Sequence, residues 1–177
     1  MRINKYLSEA GFCSRREADR LLEAGRITVN GIPAQKGQQI QEGDRVEADG
    51  RAVIQEEKKV LLLFYKPKGI VCSTKNQGKD TTVTEYLRYP MRIYPVGRLD
   101  KESEGLLLMT NQGDLVNRIM RAGNRHEKEY EVTVDKPVTG AFLNAMSRGV
   151  PILDTVTRPC RIKKTGERSF CIILTRD

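Results

Sequence analysis

Gly97-Arg98-Leu99-Asp100-Lys101-Glu102-Ser103-Glu104-Gly105-Leu106-Leu107-Leu108-Met109-Thr110-Asn111 joins a charged stretch to a strongly apolar one. A strand ends at Val96 and a very apolar one restarts over 105–110. The polar residues between them then form a loop at the end of buried strands, a common place to present a reactive group. The residues alone leave three readings open. One is a reactive loop built on Asp100. A second is an acidic surface loop in which Arg98 pairs with a neighbour. The third, a magnesium site at Asp100, Glu102 and Glu104, lacks the glycine and terminal glutamate of a calcium loop; no metal site is expected.

Outward from this loop, residues 60–177 read as a mixed domain. The pattern predicts strand 60–65, a Lys66-Pro67-Lys68-Gly69 turn, strand 70–73, helix 82–88 and strand 93–96 before the loop. After it come a helix over 114–121, strand 128–134, helix 139–148 and strands near 158–164 and 168–175. Strict βαβ alternation is missing, so the fold class is α+β with a mixed, mainly antiparallel sheet.

Residues 1–48 read as a separate small module. Ile3, Leu7 and Ala10 lie at helical spacing, closed by Gly11. Ser14 opens a capping box with Glu17, Ala18, Leu21 and Leu22 give a buried stripe, and Gly25 stands at C′. Ile27-Thr28-Val29 and Ile32-Pro33-Ala34 flank Asn30-Gly31, a strong hairpin signal. Arg45-Val46-Glu47-Ala48 alternates like an exposed strand. The polar stretch 49–59 reads as a linker. Arg15 and Arg16 occupy a helix first turn, where the macrodipole disfavours cations by about 0.3–1 kcal/mol each. Either a phosphate converges there with the free N–H groups, or Glu17, Asp19 and Glu23 neutralise the arginines.

Composition excludes several classes. The chain has 177 residues, of which 38% are hydrophobic and 31% charged, a globular balance. The longest apolar stretch, Val60–Tyr65, is too short to span a bilayer, and the N-terminus has no signal-like apolar region. Four scattered cysteines and one histidine, His126, argue against a zinc site or disulfide framework and suggest a cytoplasmic protein. The net charge of +8 is unevenly placed: residues 1–58 hold ten basic and ten acidic groups, so the whole excess lies beyond them. Such a surface favours a polyanion.

Gly97-Arg98-Leu99-Asp100-x-x-Ser103-x-Gly105-Leu106-Leu107-Leu108-x-Thr110-Asn111 resembles the catalytic motif of the RsuA-type pseudouridine synthases. Residues 2–49 resemble the S4 RNA-binding domain these enzymes carry in front. Lys66-Pro67-x-Gly69, Gly113-Asp114-Leu115 and Lys128-Glu129-Tyr130 resemble their flanking motifs. The run His126–Val138 with Gly149-Val-Pro-Ile-Leu153 is most like the RluF branch, which acts on large-subunit (23S) ribosomal RNA. The resemblance implies an enzyme that isomerises uridine in RNA without a cofactor, with transfer RNA an open second substrate and no membrane partner. It implies Asp100 as the catalytic aspartate, Arg98 filling the gap left by a flipped uridine, and Tyr130 packing on that base. It also implies S4-type RNA contacts from Arg2, Lys5, Arg15, Arg16 and Arg20. His126 carries no catalytic role in the family and reads as a surface or RNA-contacting residue. Lys66 and Lys68 stand either as phosphate contacts or as members of a turn. Water must be kept from the reacting sugar, so a dry cleft around Asp100 is expected.

The chain departs from that family after Phe170–Thr175. There the family continues into a glycine and a basic Arg-Gln-Ile-Arg helix, whereas here Arg176-Asp177 follow. The expectation from this departure is a C-terminally incomplete synthase domain over 60–177 with weak or absent turnover. The alternative function is a non-catalytic RNA-binding remnant.

Overall fold

The apolar strands around the loop pair as antiparallel neighbours, and they organise the larger share of the chain. The computed structural model describes residues 1–55, 58–74, 78–121 and 126–175. Two compact units result, Met1–Met120 and Arg121–Asp177. The architecture is α+β with antiparallel sheets, as expected.

In the first unit, α1 (Ile3–Glu9) and α2 (Arg15–Glu23) pack on a sheet of β1 (Ile27–Val29), β2 (Ile32–Pro33), β3 (Val46–Ala48) and β4 (Arg51–Ala52), in the order β2-β1-β3-β4. The Ser14 hydroxyl accepts from the Glu17 amide and starts α2. Asn30 and Gly31 both hold positive φ, +52° and +80°, as the two-residue turn between twisted strands requires. Ile3, Leu7, Ala18, Leu22, Ile27, Val29, Val46 and Ala48 form the core. Each large apolar side chain buried this way is worth about 1.5–3 kcal/mol. Two differences from the sequence pattern have one cause. β3 lies inside the sheet and buries Val46 and Ala48, because the polar stretch after it supplies β4 as the next neighbour. The Tyr6 hydroxyl then donates to the Val53 carbonyl, fastening that stretch to α1.

The same unit continues with β5 (Leu61–Lys66), α3 (Val83–Leu87), β6 (Tyr94–Val96), β7 (Gly105–Thr110) and α4 (Gly113–Met120), with sheet order β5-β7-β6. Leu62 pairs with Met109 and Phe64 with Leu107. These residues join Val60, Ile70, Val83 and Ile93 in a second core. The alternate residues Leu61, Leu63, Tyr65 and Leu106 stay exposed, so the strands are buried on one face only. The expected strand at 70–73 is a single parallel bridge, Val71 with Thr82. Its backbone instead holds the start of α3: the Val71 amide donates to Thr81, and the Val83 amide donates to Val71.

The second unit comprises β8 (Glu127–Thr133), α5 (Gly140–Ser147), β9 (Pro151–Ile152), β10 (Thr155–Val156), β11 (Arg161–Lys164) and β12 (Ser169–Thr175). A sheet of order β11-β12-β8 packs α5 through Val138, Phe170 and Ile172, with Phe142 and Phe170 in an edge contact at 5.4 Å. The β9–β10 hairpin is too short to leave a periodic signal in the sequence.

Helix α3 is only five residues long and depends on its cap. Thr82 is 2% exposed, its hydroxyl accepts from the Glu85 amide, and the Glu85 carboxylate accepts from the Thr82 amide. Thr82→Ala is expected to lower unfolding free energy by about 1 kcal/mol in urea titrations, with Thr82→Ser recovering most of it.

Candidate active site

Alternation along β5 places Leu62, Phe64 and Lys66 on the core face, so the strand ends by sending a lysine inward. Lys66 is 0% exposed. Its ammonium donates to the carbonyls of Pro67 (2.8 Å), Lys101 (3.2 Å) and Ser103 (2.7 Å). A buried ammonium is tolerable only when its three donors are used in this way. The following turn works toward the same end: Gly69, at φ +82°, donates its amide to the Lys101 carbonyl at 2.8 Å. Lys66 is therefore a scaffold under the loop rather than a phosphate contact. Lys68, by contrast, is exposed, 4.0 Å from Glu104.

These bonds bracket Asp100. Before it, the Leu99 amide donates to the Cys72 thiol sulfur at 3.3 Å. After it, the Lys101 carbonyl takes Gly69 and Lys66, and Lys101 Nζ lies 2.8 Å from Asp80. The Asp100 carbonyl itself accepts from the Ser103 amide at 3.1 Å. The backbone is thus held on both sides while the Asp100 carboxylate and the Arg98 guanidinium project to solvent, both exposed. The dry cleft expected around Asp100 is not formed by its own loop. Sequence reasoning missed the role of Cys72, a lone thiol without a motif. The Lys66 role was foreshadowed only by its inward place in the strand alternation.

Tyr130 lies on β8 in the second unit, paired with Ile172 and 45% exposed. His126, just before that strand, is exposed.

On the N-terminal module, Arg2, Arg15, Arg16 and Arg20 are exposed. Of the acids that could neutralise α2, Glu17 does so for Arg20 on the same helix, whereas Asp19 accepts from Asn4 and Glu23 meets Lys36. Among the described residues, Arg15 and Arg16 form no ion pair. Lys5 instead sits 2.6 Å from Asp114 at the start of α4, with Glu9 at 3.6 Å. Arg92, which the sequence pattern did not single out, donates to the Ser8 hydroxyl at 3.3 Å and lies over the Tyr94 ring. It helps line a groove of about 270 Å³ with Arg15, Ser8, Tyr94 and Gly113. Burial pushes the Tyr94 phenol up, and its hydroxyl donates to the Asn111 carbonyl.

Exposed arginines on α2 and an aspartate loop held by backbone bonds thus stand on an antiparallel α+β frame. The RNA pseudouridylate synthase model matches residues 60–168 and the S4 domain model matches residues 1–46. The chain belongs to the RNA pseudouridylate synthase family. It is 49% identical over 178 residues to the dual-specificity RNA pseudouridine synthase RluF of Escherichia coli K12, covering 99% of this chain and 61% of that one. It is 34% identical over 164 residues to ribosomal large subunit pseudouridine synthase B of Bacillus subtilis, covering 92% and 67%. The chain thus spans about three fifths of the length of its RluF relatives. A crystal structure of a pseudouridylate synthase shares the fold, with TM-score 0.60 at 24% identity, over all of this chain and 78% of that one.

Lys66→Met is expected to cost about 3 kcal/mol, since three carbonyls lose a desolvated donor. Hydrogen exchange at Leu99, Gly69 and Ser103 should accelerate more than exchange in α1. The Lys5–Asp114 pair gives a pH signature. Lys5 holds the Asp114 carboxyl below the usual range, and Asp114 pushes Lys5 up. The pair therefore stabilises above about pH 4 and below about pH 10. That contribution is lost as acid passes the depressed carboxyl value and as base passes the raised ammonium value. Being largely exposed, it is worth about 0.5 kcal/mol after screening. Asp114→Asn should remove that increment at pH 7 and leave no difference from wild type at pH 2, measured by urea midpoints.

Proposed function

We propose that this protein is a cytoplasmic RNA pseudouridine synthase whose target is a uridine of large-subunit (23S) ribosomal RNA. The observation that carries this reading is the loop after β6. Asp100 is fixed by backbone bonds on both sides and its carboxylate is left free to meet a substrate. In the isomerisation the C1′–N1 bond of uridine breaks and a C1′–C5 bond forms. The C5 hydrogen leaves as a proton and N1 gains one, so no redox partner is needed. Asp100 acts on the sugar, by attack or by deprotonation. Arg98, two residues earlier, fills the space of the flipped base. Tyr130 stacks on the uracil.

The N-terminal module holds the RNA. Arg15 and Arg16 at the α2 N-terminus, with Arg2 and Arg20, contact phosphates, and the engagement of Glu23 with Lys36 and Asp19 with Asn4 supports that reading. Lys5 contributes chiefly through Asp114, so its effect on binding is smaller. The dual specificity in the names of the RluF relatives supports transfer RNA as a second substrate to be tested.

The test is release of the uridine C5 hydrogen from labelled ribosomal RNA transcripts. Release by this chain is expected to be weak, and Asp100→Asn should bring it below detection with RNA affinity kept; release that survives Asp100→Asn would overturn the role given to Asp100. Arg15→Ala with Arg16→Ala should instead weaken binding and lower the slope of log K against log salt by about 1–2. RNA binding without hydrogen release by the wild-type chain would mark a binding protein and overturn the assignment of catalysis to Asp100.

A further inference from the structure

Strands β9 and β10 form a narrow ribbon closed by Leu153-Asp154. Its base is fixed. The Thr157 amide donates to the Val150 carbonyl and the Val150 amide donates to the Thr157 hydroxyl, each at 2.9 Å. Gly149 approaches the Thr157 carbonyl so closely that any side chain there would collide. The tip is different. Leu153 is 96% exposed, with Ile152 and Val156 at 51% and 65%. Leu153 also holds φ +53°, at the turn position where hairpins ordinarily use glycine, asparagine or aspartate. For leucine this conformation is an outlier. Among the described residues it buries almost no surface while holding a strained turn. A costly, solvent-facing apolar side chain on a rigid ribbon is placed for something that arrives later.

Charge indicates the partner. Residues 140–166, which contain the ribbon, α5 and β11, hold five basic side chains (Arg148, Arg158, Arg161, Lys163, Lys164) and one acidic, Asp154. Residues 127–136 hold four acidic and two basic. Of these cations Arg161 meets Glu127 and Lys164 donates to the Val138 carbonyl, so the basic excess beside the ribbon in sequence rests chiefly on Arg148 and Lys163. An apolar tip among cations is the means by which proteins separate stacked bases while holding the flanking phosphates.

We propose that the β9–β10 ribbon is an RNA wedge, with Leu153 entering between adjacent bases and the surrounding cations holding the backbone. The inference rests on the RNA-directed reading above and adds a contact outside the Asp100 loop. The experiment uses the full chain and a bulged stem-loop RNA with 2-aminopurine beside the bulge. Wild-type protein should raise the fluorescence as the base unstacks. Leu153→Gly should keep or raise the urea midpoint, because it relieves the turn, yet weaken binding about tenfold and abolish the fluorescence rise. Leu153→Met should retain both, and Asp100→Asn should retain the fluorescence rise while losing hydrogen release. Unchanged fluorescence and affinity in Leu153→Gly would overturn the wedge while leaving RNA binding intact. A drop in stability, or a wild-type dimer dissociated by that substitution in sedimentation, would overturn it in favour of a packing role or a second copy. No RNA binding by the wild type would overturn wedge and parent reading together.

Discussion

An ammonium group with no water around it decides the shape of the first unit's loop. Lys66 sits where the alternation of β5 would otherwise place an apolar residue, and its charge must be met inside the protein. The groups that meet it are carbonyls of the segment after Asp100, so the desolvation cost of the lysine is offset only when that segment is in place. Strand, turn and loop therefore order together. A surface loop of the same composition would sample many conformations; this one is tied at Leu99, Lys101 and Ser103. The interior charge thereby holds the main chain that carries the exposed carboxylate.

The N-terminal module belongs to the same compact unit, and polar contacts join it to the sheet. Lys5 reaches Asp114, and Arg92 bridges Ser8 and the Tyr94 ring. These bonds are modest singly, since they are largely solvated. Their value is geometric. They tie the helix module to the sheet that carries the Asp100 loop. The even charge of residues 1–58 is consistent with this, because there the acids bind partners inside the module, Arg20 among them, while Arg15 and Arg16 are exposed.

Much of this was legible in the sequence where local chemistry acts alone. Asn30-Gly31 specifies its hairpin through two positive φ angles, and Ser14 specifies the start of α2 through one hydroxyl. What escaped depended on neighbours distant in sequence. β3 looked like an exposed strand because its burial comes from β4, hidden within a polar stretch. Residues 70–73 looked like a strand, yet their amides are claimed by the Thr81 carbonyl and by the segment's own Val71 carbonyl rather than by a partner strand. The family resemblance supplied Asp100 as the candidate; the reason it is held still, a lysine 34 residues earlier and a thiol 28 residues earlier, has no sequence motif of its own that periodicity could expose.

The function proposed above asks two things of the Asp100 carboxylate, a fixed place and the loss of its water. A carboxylate in open solvent is well hydrated and screened, and neither condition favours attack on a sugar. A prebuilt apolar cavity would remove the water but would also raise the energy of the charged carboxylate before any substrate arrived. The arrangement here separates the two requirements. Backbone bonds hold the main chain at Asp100 in advance, and on the proposed function desolvation belongs to the RNA-bound state. On the function proposed above, the basic excess beyond residue 58 favours the approach of the polyanion that would carry the uridine to this residue.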